Sequence, residues 1–244
     1  MGIVPANAQR DARPLPELPS AIAQKQLFTA RQHIVSAAHP LAAEAGNKIL
    51  NEGGSAIDAA IAVHAVLGLI EPQSAGLGGG AFMLVYDAES KKVSAWDGRE
   101  TAPAGITPDV FLDKDGKPLR FADAVIGGRA VGVPGVVRLM AESHAKHGKL
   151  KWAALFEPAI ELAERGFPLP PRLHVHLVND RVVKNDAVAK PIYFEADGTP
   201  KPIGTVIRNP AYAETLRTIA KDGAAAFYSG AMAEDMVKAV TGHA

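Results

Sequence analysis

The stretch Asn51-Glu52-Gly53-Gly54-Ser55-Ala56-Ile57-Asp58-Ala59-Ala60 decides how this chain folds, because it joins two helical patterns. Before it, apolar residues recur at helical spacing over positions 41–50, and the Gly53-Gly54 pair predicts the end of that helix. Ser55 is a favoured N-cap residue, and positions 56–70 are apolar on nearly every side. The sequence therefore predicts two consecutive helices, the second of which is buried on most sides.

The segment after the second helix predicts a β-hairpin. Gly76–Gly80 leads into the apolar run Ala81–Tyr86, which is typical of a buried strand, and the turn residues Asp87–Lys92 let Val93–Gly98 return beside it. Further helices are predicted from the residues after Val133-Pro134-Gly135 to about His147, and over 152–165, 212–221 and 231–240. Many helices that cover a few buried strands place the chain in the α/β (α+β) class.

The composition excludes several classes of protein. The 244 residues carry 26 Lys+Arg and 26 Asp+Glu, so the formal net charge is zero and no basic surface for a nucleic acid is expected. The chain has no cysteine, which excludes disulfides, zinc-thiolate sites, iron–sulfur clusters and a thiol nucleophile. The apolar runs are far shorter than the ~18 residues of a membrane-spanning helix, so we expect no membrane partner.

The first 33 residues differ from the rest and predict an extended N-terminal arm. Prolines at positions 5, 14, 16 and 19, interspersed with charges, cannot sustain a helix or a strand ladder. Within the arm, Ala6-Asn7-Ala8 has the form of a signal-peptidase site, which favours a periplasmic or secreted protein. A chance occurrence in an alanine-rich chain is the alternative. We expect residues 34–244 to form the folded domain.

Other motifs give no evidence of a cofactor or a metal. Gly76–Gly80 lacks the strand-then-helix order of a phosphate-binding loop, and its glycines instead predict close approach of another segment or of a substrate. The pairs His174/His176 and His144/His147 lack an acidic third ligand at a recognisable spacing, so surface histidines are favoured over a metal site. No Gly-x-Ser-x-Gly motif indicates a serine hydrolase.

The segment Asp97-Gly98-Arg99-Glu100-Thr101-Ala102-Pro103 is the candidate binding site. It follows the second predicted strand and precedes a proline-limited loop, a place where a rigid element presents side chains at the edge of a sheet. The planar guanidinium of Arg99 suits bidentate binding of a carboxylate. The same residues also fit an internal Arg–Glu or Asp–Arg ion pair. Taken alone, they favour this ion-pair interpretation over carboxylate binding.

In chain order, the motifs of this sequence resemble the large subunit of the γ-glutamyltranspeptidases. The resemblance runs from about Ile34 to the C-terminus, and its specificity comes from the joint order of the motifs. The motifs are His39-Pro40 with Leu41–Ala45, Ile49–Ala60, Gly76–Phe82, Asp97–Pro103, Val133-Pro134-Gly135 and Pro158–Phe167.

The resemblance implies the fold of an N-terminal-nucleophile hydrolase, an αββα sandwich of which this chain would form a helix-rich portion. It also implies a precursor that cleaves itself. A threonine at the start of the small subunit then attacks the γ-glutamyl carbonyl of glutathione-like amides and forms an acyl-enzyme. Arg99 matches the large-subunit arginine that binds the α-carboxylate of the substrate, and this match overturns the ion-pair interpretation.

Nothing in the chain up to Thr241-Gly242-His243-Ala244 matches the start of the small subunit. We therefore expect a fragment that is inactive alone, with no catalytic residue and no oxyanion hole, whose partner is its own small subunit in a heterodimer. A cephalosporin or glutaryl acylase of the same fold is one alternative. The other is a non-catalytic scaffold that retains the large-subunit fold.

Overall fold

The structure is a computed structural model that describes residues 27–180 and 182–242. The chain divides between Arg31 and Gln32 into two units, and residues 27–31, the described part of the first, have no regular secondary structure and are exposed. The arm prediction for residues 1–26, with Ala6-Asn7-Ala8, lies outside the described residues. The boundary at residue 33 stays a prediction.

The second unit holds all the helices and strands of the described residues. The longer helices are α1 (Pro40–Asn51), α2 (Ala56–Ile70), α4 (Val136–His147), α5 (Glu157–Arg165), α6 (Pro171–Asn179), α8 (Pro210–Asp222) and α10 (Gly230–Gly242). Single-turn helices are α3 (Phe121–Ala124), α7 (Lys190–Tyr193) and α9 (Ala225–Tyr228). The strands are β1 (Ala81–Asp87), β2 (Lys92–Gly98), β3 (Phe167–Pro168) and β4 (Val206–Ile207), which form two antiparallel pairs, β1–β2 and β3–β4.

Both helices around the opening motif begin where the sequence places them. At the start of α1 the ring of His39 accepts a hydrogen bond from Leu41 N (3.2 Å). At the start of α2 the Ser55 hydroxyl accepts from Asp58 N (3.1 Å) while the Asp58 carboxylate accepts from Ser55 N (2.8 Å), a reciprocal capping box. Most of α2 is buried in the main hydrophobic core, so the prediction of a helix covered on most sides is confirmed.

Asp58 also joins the start of α2 to a loop that is distant in sequence. Its side chain is fully buried, and Oδ2 accepts from the backbone amides of Lys149 (2.9 Å) and Leu150 (3.2 Å) in addition to that of Ser55. The other oxygen, Oδ1, lies 3.7 Å from Nε2 of His144. One carboxylate thus fixes the position of the loop after α4 relative to α2.

The β1–β2 hairpin has the predicted register, with Ala81 opposite Gly98 and Asp87 opposite Lys92. The expectation of a strand buried on both faces is wrong for these residues. Met83 and Val85 pack against the core, whereas the alternate side chains are exposed, with Leu84 at 76%. The physical reason is that, among the described elements, helices such as α4 cover one face of the hairpin only.

One helical prediction is corrected, and the structure also places the His174/His176 pair. Residues 152–165 form a 3₁₀ turn (Trp152–Leu155) and then α5, because Pro158 has no N–H with which to continue a helix from the preceding turn. His174 and His176 lie on α6, where residues two apart project from different faces. In the described part of the chain no group of three His, Cys, Asp or Glu is placed to hold a metal ion.

The helices pack around α2, α5 and α8. Trp152 anchors this packing. Its indole Nε1 donates to Ile219 O of α8 (2.9 Å), and its ring lies edge-on to that of Phe156, with 4.8 Å between the ring centroids. Across residues 27–180 and 182–242, no helix is both long enough and apolar enough to span a membrane.

Candidate functional site

Arg99 follows β2 directly and projects from the end of the hairpin. Its backbone N–H donates to Asp97 Oδ1 (2.9 Å), which fixes the turn of the chain at this point. Its guanidinium Nη1 lies 3.4 Å from Glu100 Oε2, yet 69% of the Arg99 side chain is exposed. The ion pair with Glu100 therefore exists but leaves most of the guanidinium accessible to a ligand.

The backbone around Arg99 is held by glycines that let chains approach closely. Gly135 N and Val136 N, at the start of α4, both donate to Gly79 O (3.1 and 3.2 Å). A Cβ on Gly80 would lie 2.7 Å from Gly98 O, and one on Gly135 would overlap the same carbonyl. The prediction that the glycine-rich segment serves close backbone approach is confirmed at Gly80.

The residue pair that follows Arg99 is fixed by main-chain hydrogen bonds. Thr101 N donates to Val133 O (3.2 Å), and Val133 N donates to Thr101 O (2.8 Å). Gly132 lies against Glu100, because a Cβ there would come 2.9 Å from Glu100 Cβ. The strand end therefore presents Arg99 from a rigid backbone.

A cavity of about 620 Å³ opens beside Arg99. Its wall is the glycine loop, which we define as residues 76–80, and its other lining residues include His64, Ser74, Arg99 and Glu100. A Cβ on Gly76 or Gly78 would meet nothing within 4 Å, so this part of the loop lies open. The cavity thus combines one cationic side chain with a surface of exposed backbone.

Glu100 and His64 give the cavity its remaining polar groups. Glu100 Oε2 is buried and makes no hydrogen bond within the described residues, and the Arg99 guanidinium at 3.4 Å is its ion-pair partner. His64 Nε2 lies 3.3 Å from Gly76 O, and burial lowers the pKa of this imidazole below its usual range, so the ring is neutral at neutral pH. Because the carbonyl can only accept, the neutral ring donates from Nε2.

A second cavity, of about 580 Å³, also has Arg99 in its lining. It is lined further by Trp96, Asp97, Arg138 and Tyr228. The Tyr228 hydroxyl accepts from Arg138 N (3.0 Å), and burial raises the pKa of this phenol. Arg99 therefore stands between two cavities and can present its charge to either.

These groups can bind and orient an anionic ligand. The guanidinium of Arg99 offers two parallel N–H donors for a carboxylate. The hydroxyl of Ser74 accepts from Arg172 Nη2 (3.3 Å), an arrangement that holds the loop in place. Sequence reasoning found Arg99 and the glycine loop, but it missed His64, because nothing in the helical pattern shows that this side chain reaches a carbonyl twelve residues away.

Comparison with known proteins shows which family this chain is similar to. The model of the family described as Gamma-glutamyltranspeptidase matches residues 42–243. The "Glutathione hydrolase proenzyme" of Bacillus subtilis is 40% identical over 212 residues, which are 87% of this chain and 36% of that protein. The chain therefore spans about a third of the length of this curated relative.

Solved structures give the same result for the fold. The crystal structure of the Helicobacter pylori γ-glutamyltranspeptidase superposes with a TM-score of 0.83 at 33% identity, covering 89% of this chain and 62% of that chain. A cephalosporin acylase from Bacillus halodurans superposes with a TM-score of 0.68 at 30% identity, covering 88% of this chain and 41% of that one. The predicted fold of an N-terminal-nucleophile hydrolase is confirmed. Because the family match covers most of the sequence and carries the glycine loop and the Arg99 segment with it, the chain belongs to the γ-glutamyltranspeptidase family.

Proposed function

We propose that this chain is the substrate-binding part of an enzyme that transfers or hydrolyses the γ-glutamyl group of glutathione-like amides. The nucleophile would be a threonine of its own small subunit, which forms a heterodimer with this chain and takes the acyl group. The observation that carries the proposal is the exposed guanidinium of Arg99 on a rigid strand end beside the glycine-loop cavity.

Arg99 would bind the α-carboxylate of the γ-glutamyl substrate. A γ-glutamyl group carries an α-carboxylate at the end remote from the amide that is cleaved, so a fixed cation at that end places the amide in a constant position. The backbone hydrogen bonds between Thr101 and Val133 and the contacts of Gly80 with Gly98 supply that fixed position. The structure adds support because the Glu100 ion pair leaves most of the Arg99 side chain exposed.

We further propose that the enzyme acts outside the cytoplasm, in the periplasm or after secretion. The support is the Ala6-Asn7-Ala8 triplet, which has the form of a signal-peptidase site. Sequencing the N-terminus of protein recovered from its host tests this. Material that begins at Gln9 supports export, and cytoplasmic material that retains Met1 contradicts it.

The second candidate is an acylase that removes a glutaryl-type side chain. The likeness to the cephalosporin acylase of Bacillus halodurans favours it. Such a side chain keeps the carboxylate that corresponds to the α-carboxylate and lacks the α-amino group, so Arg99 could bind either acyl group and the amino group distinguishes them. A non-catalytic scaffold is the third interpretation, and it predicts no turnover of either substrate.

The deciding experiment compares anilides in the complete enzyme, which unites this chain with its small subunit. The parent, Arg99→Ala and Arg99→Lys are assayed on a γ-glutamyl anilide and on the 4-aminobutyryl anilide, which lacks only the α-carboxylate. The glutaryl anilide, which lacks only the α-amino group, tests the parent for acylase activity. Hydrogen bonds to a charged group contribute ~1.5–3 kcal/mol, so we expect Arg99→Ala to lose roughly ten- to hundredfold in kcat/KM on the γ-glutamyl anilide. Most of the loss should fall on KM, because the contact exists in the ground state and in the transition state.

Lysine should restore only part of the activity, since it keeps the charge but loses the planar fork. Arg120→Ala is the matched control, because Arg120 is an exposed arginine that pairs with Asp123 outside both cavities. An equal loss on the γ-glutamyl and 4-aminobutyryl anilides after Arg99→Ala would show that Arg99 does not bind the carboxylate. An unchanged KM with a lowered melting temperature would assign Arg99 to a structural ion pair.

A further inference from the structure

The glycine loop is fixed at its entry and at its exit by main-chain hydrogen bonds. At the entry, Ser74 N and Ala75 N donate to Glu71 O (2.9 and 3.0 Å), and the Glu71 carboxylate is paired with Arg172 (2.6 Å). At the exit, Gly79 O accepts the two amides at the start of α4. Between these points the loop is held at Gly76, whose carbonyl lies 3.3 Å from His64 Nε2.

We propose that His64 is a positioning residue of this site: its imidazole holds the Gly76 carbonyl, and thereby keeps the glycine loop in place beside Arg99. The inference rests on the proposed function, because it assigns the loop to the wall against which a γ-glutamyl compound would lie. It adds a residue of the cavity lining whose hydrogen bond fixes the position of the loop.

The helix face under the loop supports this role. His64 and Gly68 lie one turn apart on α2 and therefore share a face. A Cβ on Gly68 would lie 3.5 Å from the Cα of Gly76, so the loop rests directly on the helix backbone at this point. The imidazole of His64 then reaches the carbonyl of the residue that lies on Gly68.

Between its ends the loop is held by Leu77, whose side chain is buried in the hydrophobic core, so the glycines on either side of it depend on main-chain contacts. The Gly76 carbonyl also accepts from Gly79 N, at 3.4 Å, which is a longer contact within the loop itself. A Cβ on Gly76 or Gly78 would meet nothing within 4 Å, so neither residue is enclosed on that side. The hydrogen bond from His64 is the described hydrogen bond that ties the Gly76 carbonyl to α2.

The same geometry makes the loop sensitive to pH. Burial lowers the pKa of His64, so the folded state favours the neutral ring. The stabilisation is complete above the ordinary histidine pKa, near 6.5, and is lost as the pH falls through the lowered value. Protonation would put a positive charge on a ring that little water reaches. Because a charge needs solvation, the loop would have to move and admit water. Other titratable and charged groups lie in the elements around this ring. Glu71 and Arg172 form an ion pair at the loop entry, with His39 near Glu71. Arg99 and Glu100 line the same cavity, and the Tyr212 hydroxyl donates to Ala65 O of α2.

Two substitutions separate the hydrogen bond from the titration. His64→Gln keeps an N–H donor near the position of Nε2 but cannot be protonated, whereas His64→Phe keeps a ring and loses the donor. His174→Gln is the matched control, because His174 is a partly buried histidine on α6 outside the cavity. All are assayed in the complete enzyme for KM and kcat on a γ-glutamyl anilide from pH 5 to pH 9, and melting temperatures show that each variant is folded.

In the parent and in His174→Gln we expect KM to rise as the pH falls through the pKa of His64, which burial places below the ordinary value near 6.5. In His64→Gln this rise should disappear, with KM at pH 8 close to that of the parent. In His64→Phe, KM at pH 8 should be raised by about fivefold, the value of one net hydrogen bond, with a smaller change in kcat. A rise in KM that persists unchanged in His64→Gln, or a KM in His64→Phe equal to that of the parent, overturns the proposal.

A measurement on the chain itself separates this inference from the proposed function. NMR titration of the 244-residue chain follows the His64 ring and the amide signals of the glycine loop. We expect the Gly76, Gly78 and Gly79 amides to shift with the midpoint of His64 in the parent and to stay constant in His64→Gln. If the loop follows His64 but no γ-glutamyl compound is turned over, the proposed function fails and the positioning role stands. Loop amides that ignore the titration of His64 overturn the positioning role alone.

Discussion

Replacing the buried carboxylate of Asp58 should destabilise the fold more than any change at the exposed surface. In Asp58→Ala three backbone amides, those of Ser55, Lys149 and Leu150, lose a charged acceptor at 2.8–3.2 Å. Hydrogen bonds to charged groups contribute ~1.5–3 kcal/mol each, and water can reach part of this loop, so we expect a total loss of about 3–5 kcal/mol. Asp58→Asn keeps one oxygen for the amides and should lose only about 1–2 kcal/mol.

The assay is urea unfolding of the chain, followed by far-UV circular dichroism. We expect the midpoint to fall in the order parent, Asp58→Asn, Asp58→Ala, with an unchanged slope, because the surface exposed on unfolding stays the same. Asp123→Ala is the control, since this aspartate forms an exposed ion pair with Arg120 and should change the midpoint little. A loss below about 1 kcal/mol in Asp58→Ala, or equal losses in Ala and Asn, would refute the role of Asp58 as the anchor of this loop.

Three further outcomes are expected in the same chain. Gly135→Ala should lower the free energy of unfolding by about 1–3 kcal/mol, because its Cβ would overlap the Gly98 carbonyl. Gly105→Ala, where the space is empty, should not lower it, and equal effects of the two substitutions would contradict the crowding at Gly135. Leu84→Lys, on the exposed face of the hairpin, should reduce the binding of an apolar-surface dye without lowering the melting temperature. Unchanged dye binding would show that the dye does not bind to this face. Arg172→Met should cost about 3–5 kcal/mol by leaving the buried Glu71 carboxylate without its guanidinium partner, and a cost below about 1 kcal/mol would contradict this.

Local chemistry predicted much of the fold. Ser55, the Gly53-Gly54 pair and the apolar pattern of 56–70 specify α2 within a few residues of chain, so its limits were predictable. The β1–β2 hairpin was predictable for the same reason, because a turn and two alternating runs lie next to each other in sequence.

The remaining features depend on contacts between distant residues. No local pattern shows that Asp58 reaches Leu150, and an apolar run cannot show whether one face or both faces of β1 are covered. The candidate site was predicted at Arg99 through its family resemblance, but the burial of the Glu100 oxygen beside Arg99 and the contact of His64 with Gly76 exist only once the helix, the loop and the strand end meet.

The glycines packed around residues 98–100 divide the neighbourhood of Arg99 into positions that can vary and positions that cannot. The path of the main chain there depends on direct contact with Gly80, Gly132 and Gly135, so any larger residue at those positions moves the whole strand end. The Arg99 side chain, in contrast, extends into open space and takes no part in that contact. Mutant libraries that seek a new acyl group should therefore randomise position 99 and keep these glycines, because the scaffold then stays constant while the chemistry it presents is changed.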